Sequence, residues 1–294
     1  MRATLKDPVY PPALGTRTVF VCAALAMVAC GAILKSPEPA GLSPFFVTIL
    51  AVSAIYWFGD VADRWYHLRE SGEKVGAGDP ILYRLQLLGL SLLGIVGLAF
   101  NLKMPAVFAL ICVLGLGVLD SIEIPFMRGL APIGGGGMYR PKRVFFLKNV
   151  IIGAWWSLLL IIGSGNFTVP GLPVCGIFAF VQITMGASIG NLPLVVRERE
   201  EGIDSLATRI GVGGLLKLLR YANVGTFALL MIAAWQDPSV ATTYYCLCGV
   251  VVWRAFMLIN VGRIDIRSEL LRLFNLGTCF LFPLAIALGR YFAA

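Results

Sequence analysis

Residues 190–211 read GNLPLVVREREEGIDSLATRIG. This stretch begins inside a long uncharged run and then presents five consecutive charged residues at 197–201. Such a change in composition is typical of a helix that leaves a membrane. If the helix continues through the charges, Asn191, Leu194 and Glu198 share one face, because their spacings match the helical period. A carboxylate there can hold a divalent cation and the arginines an anion, but charged runs also occur at solvated helix ends.

The overall composition excludes an ordinary soluble domain. Of the 294 residues, 58% are hydrophobic and 14% are charged, whereas soluble domains are about 45–50% apolar and about 25% charged. We therefore predict an all-α polytopic membrane protein that forms a single transmembrane domain over 1–294. Each predicted segment approaches the length that crosses about 30 Å of hydrocarbon. The nine predicted helices lie near 17–34, 43–60, 84–101, 104–124, 145–163, 172–196, 212–234, 240–260 and 272–290.

The positions of lysine and arginine predict the orientation. Of these 24 residues, 21 lie in the N-terminal arm, in the loops after the second, fourth and sixth helices, or around the eighth; Lys35, Lys103 and Arg290 remain on the other face. Because such an excess marks the cytoplasmic side, we expect a cytoplasmic N-terminus, cytoplasmic motif loops and an outside C-terminus. The N-terminal arm is unlike a transit peptide, which favours a prokaryotic plasma (inner) membrane. The net charge of +8 suits an anionic leaflet or substrate and requires no nucleic acid.

A second acidic stretch follows the second predicted helix. Residues 59–70 read GDVADRWYHLRE, in which Asp60, Asp63, His67 and Glu70 recur at helical spacings. Two carboxylates one turn apart can bind Mg²⁺ and leave positions for phosphate oxygens. An amphipathic cytoplasmic helix explains the same pattern, although acids at a membrane exit are costly unless they are used or paired. We interpret His67 as a surface or hydrogen-bonding residue rather than a ligand.

The region after the fourth predicted helix adds a second acidic pair and a basic loop. Asp120 and Glu123 stand one turn apart, and we favour ion pairs with nearby arginines for them. Residues 132–143, PIGGGGMYRPKR, join a glycine run to a tyrosine and three cations. Such a loop can cover a phosphorylated ligand, although it has no P-loop ending and the orientation alone requires a basic loop. The recurrence of acidic helix ends after the second and sixth helices predicts two related four-helix units around a central cavity.

At these motifs the chain resembles the UbiA superfamily of intramembrane prenyltransferases. The family signature N-D-x-x-D-x-x-x-D is similar to residues 59–67, where Asp60 and Asp63 occupy two of the four polar positions. The second acidic signature, D-x-x-x-D followed by G-[IVK]-x-[ST]-L-A-x-R-x-G, is similar to residues 194–211, with Leu194 and Glu198 at the acidic positions. A middle signature of a tyrosine, a Lys-Arg pair and a Lys-Asn is similar to Tyr139, Lys142, Arg143, Lys148 and Asn149.

The resemblance implies a helical barrel in which Mg²⁺ and two acidic clusters bind a prenyl diphosphate. It implies transfer of the isoprenoid group to a lipophilic acceptor, such as an aromatic compound, a quinone precursor or a membrane lipid. Asp60, Asp63 and Glu198 would be the metal ligands and catalytic residues. The implied substrate contacts are Arg64, Tyr139, Lys142, Arg143, Lys148, Asn149, Asn191 and Asp204.

The chain departs from the family pattern at Gly59, His67 and Leu194, where acidic or polar residues are expected. These departures shrink the oxygen-ligand set on which a hard cation depends. Three hypotheses therefore remain: a Mg²⁺-dependent prenyltransferase, a non-catalytic protein that binds an isoprenoid or tetrapyrrole lipid or assists a membrane assembly, and a transporter-like bundle whose acids carry ions or protons.

Overall fold

The protein is described by a computed structural model that covers residues 14–35, 41–122, 147–192, 195, 206–261 and 269–293, with side chains except at 14–19, 70, 269–276 and 279. Within these ranges the chain is all-α, as the sequence predicted, with one short 3₁₀ helix at Pro238–Val240. The described residues form nine helices with these bounds: α1 Leu14–Lys35, α2 Ser43–Ser71, α3 Pro80–Ala99, α4 Met104–Ser121, α5 Leu147–Ser164, α6 Leu172–Gly190, α7 Leu206–Gln236, α8 Ala241–Asn260 and α9 Glu269–Ala293.

Local chemistry explains where the helices around the acidic motifs begin and end. Helix α2 runs past its predicted end at 60 and stops at Gly72, whose φ of 72° is a left-handed cap that glycine adopts without strain. Helix α3 begins at Pro80 after Asp79, whose carboxylate accepts a hydrogen bond from the amide of Ile81. Both Asp60 and Asp63 therefore lie within one continuous helix.

The prediction that the sixth helix reaches residue 196 is wrong. Helix α6 ends at Gly190, and Asn191 caps it. Pro193 explains the break, because proline has no amide hydrogen and disfavours helical backbone at the residue before it. Asn191 therefore does not begin a single helical face that continues to Glu198, which lies outside the described residues together with Leu194.

Two groups of helices form the bundle. Helices α6, α7, α8 and α9 pack in chain order, and α9 returns to α6. In the first group α2 contacts α3, α4 and α5, and α4 also packs on α5. Helix α1 packs against α2, α5 and α9 and thus contacts both groups, which are also joined by α5 and α6. This arrangement agrees with the predicted pair of four-helix units.

Close backbone contacts hold α1 against α5. A Cβ atom at Gly31 would overlap the carbonyl of Leu160, and a Cβ at Gly163 would overlap the carbonyl of Val28. Small residues at such crossings let helices approach closely in a membrane, where burial of apolar surface from lipid provides little drive. The pair of glycines therefore lets α1 and α5 pack closely near the C-terminal ends of both helices.

The protein is a multi-pass integral membrane protein. Seven described helices are long and apolar enough to cross a membrane, and two shorter apolar stretches, Phe20–Lys35 and Phe280–Ala293, accompany them. Large apolar side chains also cover the outside of the bundle, among them Leu93, Val224 and Ile259. An apolar exterior of this kind is stable in lipid rather than in water.

Candidate functional site

The acidic motif of α2 faces a basic residue of α3. Oδ2 of Asp60 lies 3.0 Å from a guanidinium nitrogen of Arg84. The two side chains are 23% and 37% exposed, respectively, so water still reaches the pair. Asp63, one turn further along α2, is exposed. The motif therefore presents one carboxylate paired across the helix interface and a second one turn closer to the helix end.

A second ion pair joins the same two helices. Arg64 donates to both carboxylate oxygens of Asp79, at 2.9 and 3.5 Å, while Asp79 also caps α3. The hydrogen bond from Arg64 lowers the pKa of Asp79, and the bond from the amide of Ile81 and the charge of Arg64 lower it further. Arg64 also lies 3.9 Å from Glu73 and 3.5 Å from Nδ1 of His67. Arg64, a predicted diphosphate contact, thus has a structural partner on α3.

Two further predicted residues meet where α5 begins and α6 ends. Asn191 donates to Oδ1 of Asn149 at 3.1 Å, and Asn149 donates to Oγ of Ser188 at 3.0 Å. Asn149 is buried, and the preceding Lys148 is half-buried. These hydrogen bonds fix the orientation of a buried amide, which is costly to leave unsatisfied. The structure therefore brings Asn149 and Asn191 together, and their roles in substrate binding stay predictions.

The remaining predicted site residues lie outside the described part of the chain. The described His, Cys, Asp and Glu side chains include no group of three that could hold a metal ion. Asp60 and Asp63 supply hard oxygen atoms at helical spacing, which fits one side of a Mg²⁺ shell whose other ligands are phosphate oxygens and water. The roles of Asp60, Asp63 and Arg64 stay predictions. The residues outside the description are Tyr139, Lys142, Arg143, Leu194, Glu198 and Asp204.

Aromatic side chains extend from the acidic motif into the bundle. The ring of Tyr56, four residues before Asp60, lies 6.3 Å from that of Phe20, which lies 6.4 Å from Trp156. Trp155 contacts Trp156 edge to face at 5.3 Å. We call these four rings the aromatic column. Because Tyr56 and Asp60 are four residues apart, the α2 end of this column and the carboxylate lie on one face of the helix. The sequence contains this signal, but it becomes visible only when α1 and α5 are known to face α2.

A buried polar network joins α6, α7 and α8. Arg254, 1% exposed, donates to the side-chain and backbone oxygens of Gln182 at 3.3 and 3.2 Å. Gln182 donates to Asn223 and Thr226, each at 3.0 Å, and Asn223 donates to the carbonyl of Val251. This network was not predicted from the sequence. Arg254 is the single charged residue of α8, and a charge inside a membrane helix is a signal that could have found it.

Together these features define a helical membrane protein with a charged site at one end of the bundle and an aromatic column behind it. No family model and no curated protein match the sequence. Solved structures do match: one from a study of digeranylgeranylglyceryl phosphate synthase in membranes is 13% identical, with a TM-score of 0.66 over 94% of this chain and 98% of that chain.

Two other solved structures that are similar to this chain are UbiA homologues. A UbiA homologue from Aeropyrum pernix K1, in its apo form, is 14% identical with a TM-score of 0.61 and covers 92% of this chain and 96% of its own. A UbiA homologue from Archaeoglobus fulgidus bound to DMAPP and Mg²⁺ is also 14% identical, with a TM-score of 0.61 over 93% and 95% of the two chains. The protein therefore has the UbiA fold over nearly its whole length, which confirms the fold that the motif resemblance implied.

Proposed function

We propose that the protein is a membrane prenyltransferase that transfers an isoprenoid group from a prenyl diphosphate to a lipophilic acceptor. The observation that carries this proposal is the continuity of the aromatic column with the carboxylate face of α2. Tyr56 and Asp60 lie one turn apart, so a ligand with a charged head and an apolar tail matches the surface in both parts. A protein of this fold has been solved with DMAPP and Mg²⁺, and another structure of that homologue holds GPP and Mg²⁺.

The charged end of the site would hold the diphosphate. Asp60 and Asp63, which lie in the described part of the chain, would bind Mg²⁺. Glu198 is the third predicted ligand. When bound, Mg²⁺ neutralises charge that develops on the departing diphosphate. Arg64 and Lys148 supply cations at the same end, with Tyr139, Lys142, Arg143 and Asp204 as further predicted contacts. Cations near the phosphate oxygens favour charge separation as the allylic C–O bond breaks.

The apolar end of the site would hold the isoprenoid chain. The faces of Tyr56, Phe20 and Trp156 are electron-rich, so they stabilise positive charge on the allylic carbon as the diphosphate leaves. The acceptor donates an electron pair to that carbon and then loses a proton. Aromatic rings packed against the allylic group would also limit the access of water, which would otherwise capture that group. Asn149, held by Ser188 and Asn191, would orient the acceptor or the diphosphate.

The proposed orientation places this charged end in the cytoplasm. It rests on the excess of lysine and arginine in the N-terminal arm and in the loops at the same end of the bundle as Asp60. Soluble prenyl diphosphates would then enter from the cytoplasm of a prokaryotic cell, and a lipophilic acceptor would enter from the surrounding lipid.

A second candidate function is binding of an isoprenoid or another lipid without catalysis. Two observations favour it: Asp60 and Arg64 are both engaged in ion pairs with α3, and Leu194 replaces an acidic residue of the family signature. Such a protein would retain the aromatic column and bind a prenyl chain, but it would bind no diphosphate in a Mg²⁺-dependent way.

Binding of a non-hydrolysable geranylgeranyl diphosphate analogue to the purified protein, with and without Mg²⁺, separates the two candidates. Transferase function predicts binding that requires Mg²⁺ and is lost in Asp63→Asn, whose exposed carboxylate is not needed for packing. The matched control is Glu73→Gln, an exposed acid just beyond the end of α2, which should bind as the wild type does. Binding that is independent of Mg²⁺ and of Asp63 would instead support the non-catalytic lipid-binding function.

A further inference from the structure

A cavity lies at the opposite end of the bundle from Asp60. It has a volume of about 310 Å³ and is formed by the loop between α5 and α6, the end of α7 and the first turn of α8. Helices α5 and α6 carry Asn149 and Asn191 at one end and this cavity at the other. The cavity is therefore separate from the proposed prenyl diphosphate site, and its volume falls at the lower end of the range of about 300–1,000 Å³ found for small-ligand sites.

A buried tyrosine provides the first sign that this cavity binds a ligand. Tyr244 is 2% exposed and lines the cavity. Its hydroxyl is not among the enclosed polar atoms that lack a partner, and no hydrogen bond from a described residue engages it, so it faces the space of the cavity and can bond a ligand there. Gly171 lies directly beside it, since a Cβ added at this position would stand 3.4 Å from the hydroxyl oxygen. The φ of 79° at Gly171 favours glycine, so this wall of the cavity carries no side chain.

The charge of the cavity indicates which ligand it selects. Asp237 is the single charged residue among the described residues that line it. Oδ1 of Asp237 accepts hydrogen bonds from the amide and hydroxyl of Ser239, at 3.2 and 2.5 Å. No described residue donates to Oδ2. A carboxylate oxygen and a phenol oxygen in one cavity favour a cationic group that donates several hydrogen bonds, and they disfavour a ligand whose only charge is negative.

The location of the cavity at the membrane boundary indicates the source of that cation. Asp237 stands between two candidate membrane spans, Leu206–Gln236 and Pro238–Asn260. The walls of the cavity are largely apolar and include Phe167 and Val174, while the neighbouring Trp235 is exposed. Aromatic residues are enriched at the level of lipid headgroups. A ligand that carries an ammonium group on an apolar body therefore fits both the polar and the apolar surface.

We propose that this cavity is a binding site for a protonated primary amine, supplied by the headgroup of an aminophospholipid. The ammonium group donates to Oδ2 of Asp237 and to the hydroxyl oxygen of Tyr244, and the lipid backbone rests on the apolar wall. A primary ammonium carries three donors, whereas the quaternary ammonium of a choline lipid carries none. The site should therefore distinguish ethanolamine lipids from choline lipids of the same acyl composition.

The test is native mass spectrometry of the full-length protein titrated with phosphatidylethanolamine, phosphatidylcholine or phosphatidylglycerol of identical acyl chains. We expect the wild type to retain the ethanolamine lipid preferentially. Loss of a charge-assisted hydrogen bond should lower its affinity by about tenfold or more in Asp237→Asn, and by a smaller factor in Tyr244→Phe. Asp237→Asn keeps the acceptor for Ser239, so the local turn is preserved. The control is Tyr245→Phe, which removes a hydroxyl from an exposed neighbour outside the cavity and should change nothing.

Each result supports or contradicts the proposal. Equal retention of ethanolamine and choline lipids by the wild type would overturn it, as would retention of the ethanolamine lipid that is unchanged in both variants. Displacement of the lipid by free ethanolamine at comparable concentration would assign the same site to a soluble amine. Tyr244→Phe leaves the ring in place, so it tests the proposal even if Asp237→Asn fails to fold. None of these measurements depends on prenyl transfer.

Discussion

The carboxylate of Asp60 lies 3.0 Å from the guanidinium of Arg84, so the first predicted Mg²⁺ ligand is also one half of an ion pair between α2 and α3. Arg64 and Asp79 form the equivalent pair nearer the helix end. If Asp60 binds metal, Mg²⁺ must compete with Arg84 for the same oxygen atoms. The α2 and α3 interface therefore bears directly on how tightly the site binds a cation.

We predict that Arg84→Gln strengthens metal binding in the absence of diphosphate. A partly exposed ion pair is worth about 0.2–1 kcal/mol, so releasing Asp60 should tighten binding by up to about fivefold. Electron paramagnetic resonance with Mn²⁺ as the metal measures the change. Arg69→Gln removes an exposed cation from the end of α2, the helix that carries Asp60, and it controls for the general loss of positive charge. Weaker metal binding in Arg84→Gln than in Arg69→Gln would show that Arg84 does not compete for Asp60.

We predict that the pair of Arg64 and Asp79 makes stability depend on acid pH. Since the folded protein lowers the pKa of Asp79, the stabilisation is fully present above the unfolded pKa of about 3.9 and is lost as pH falls through the lower folded value. The apparent melting temperature should therefore fall below about pH 4, and it should fall less steeply in Asp79→Asn. The side-chain oxygen of the asparagine can still cap α3. The Asp79→Ala variant loses this cap as well, so its melting temperature should be lower at every pH. Parallel curves for the wild type and Asp79→Asn would exclude the ion pair as the cause.

We predict that Gly163→Ala destabilises the bundle. The added methyl group would overlap the backbone carbonyl of Val28, and backbone cannot rotate away as a side chain can. Overpacking of this kind costs about 1–3 kcal/mol. Gly225→Ala is the matched control, because a Cβ there meets nothing within 4 Å and alanine favours the helix by about 0.5–1 kcal/mol. Thermal unfolding in one detergent compares the two variants, and equal melting temperatures would contradict the close packing of α1 on α5.

The sequence predicted the features that depend on local pattern. Apolar length located nine helices. The predicted start of the seventh, near 212, falls beside Gly211, whose φ of 71° and ψ of 163° interrupt α7. The helix end at Gly190 was missed because the uncharged run continues beyond it, although Pro193 carried the signal. The predicted span of α2 stopped at the first charge, at 60, but the helical spacing of Asp60, Asp63, His67 and Glu70 indicated that the helix continues, and it runs to Ser71.

The sequence could not predict the contacts between distant helices. Arg64 and Asp79 are 15 residues apart, and Gln182 and Arg254 are 72 residues apart. Helical periodicity relates residues within one helix, but it does not say which helices face each other. The local spacing predicted that Asp60 and Asp63 share a helix end, whereas the partner Arg84 became evident only from the packing of α3 on α2.

We predict that the network around Gln182 stabilises the second group of helices. Gln182→Leu preserves the approximate volume but removes the acceptor for Nε of Arg254 and the donor to Asn223 and Thr226. Each buried group left without its partner costs about 1–3 kcal/mol, so the loss of three hydrogen bonds should cost the variant at least about 3 kcal/mol in total. Gln182→Glu keeps an acceptor for Arg254 and loses only the donor, so its stability should lie between that of Gln182→Leu and the wild type. Buried polar groups are sometimes replaced by apolar ones without loss, and a Gln182→Leu protein that unfolds at or above the wild-type temperature would show that this network does not stabilise the fold.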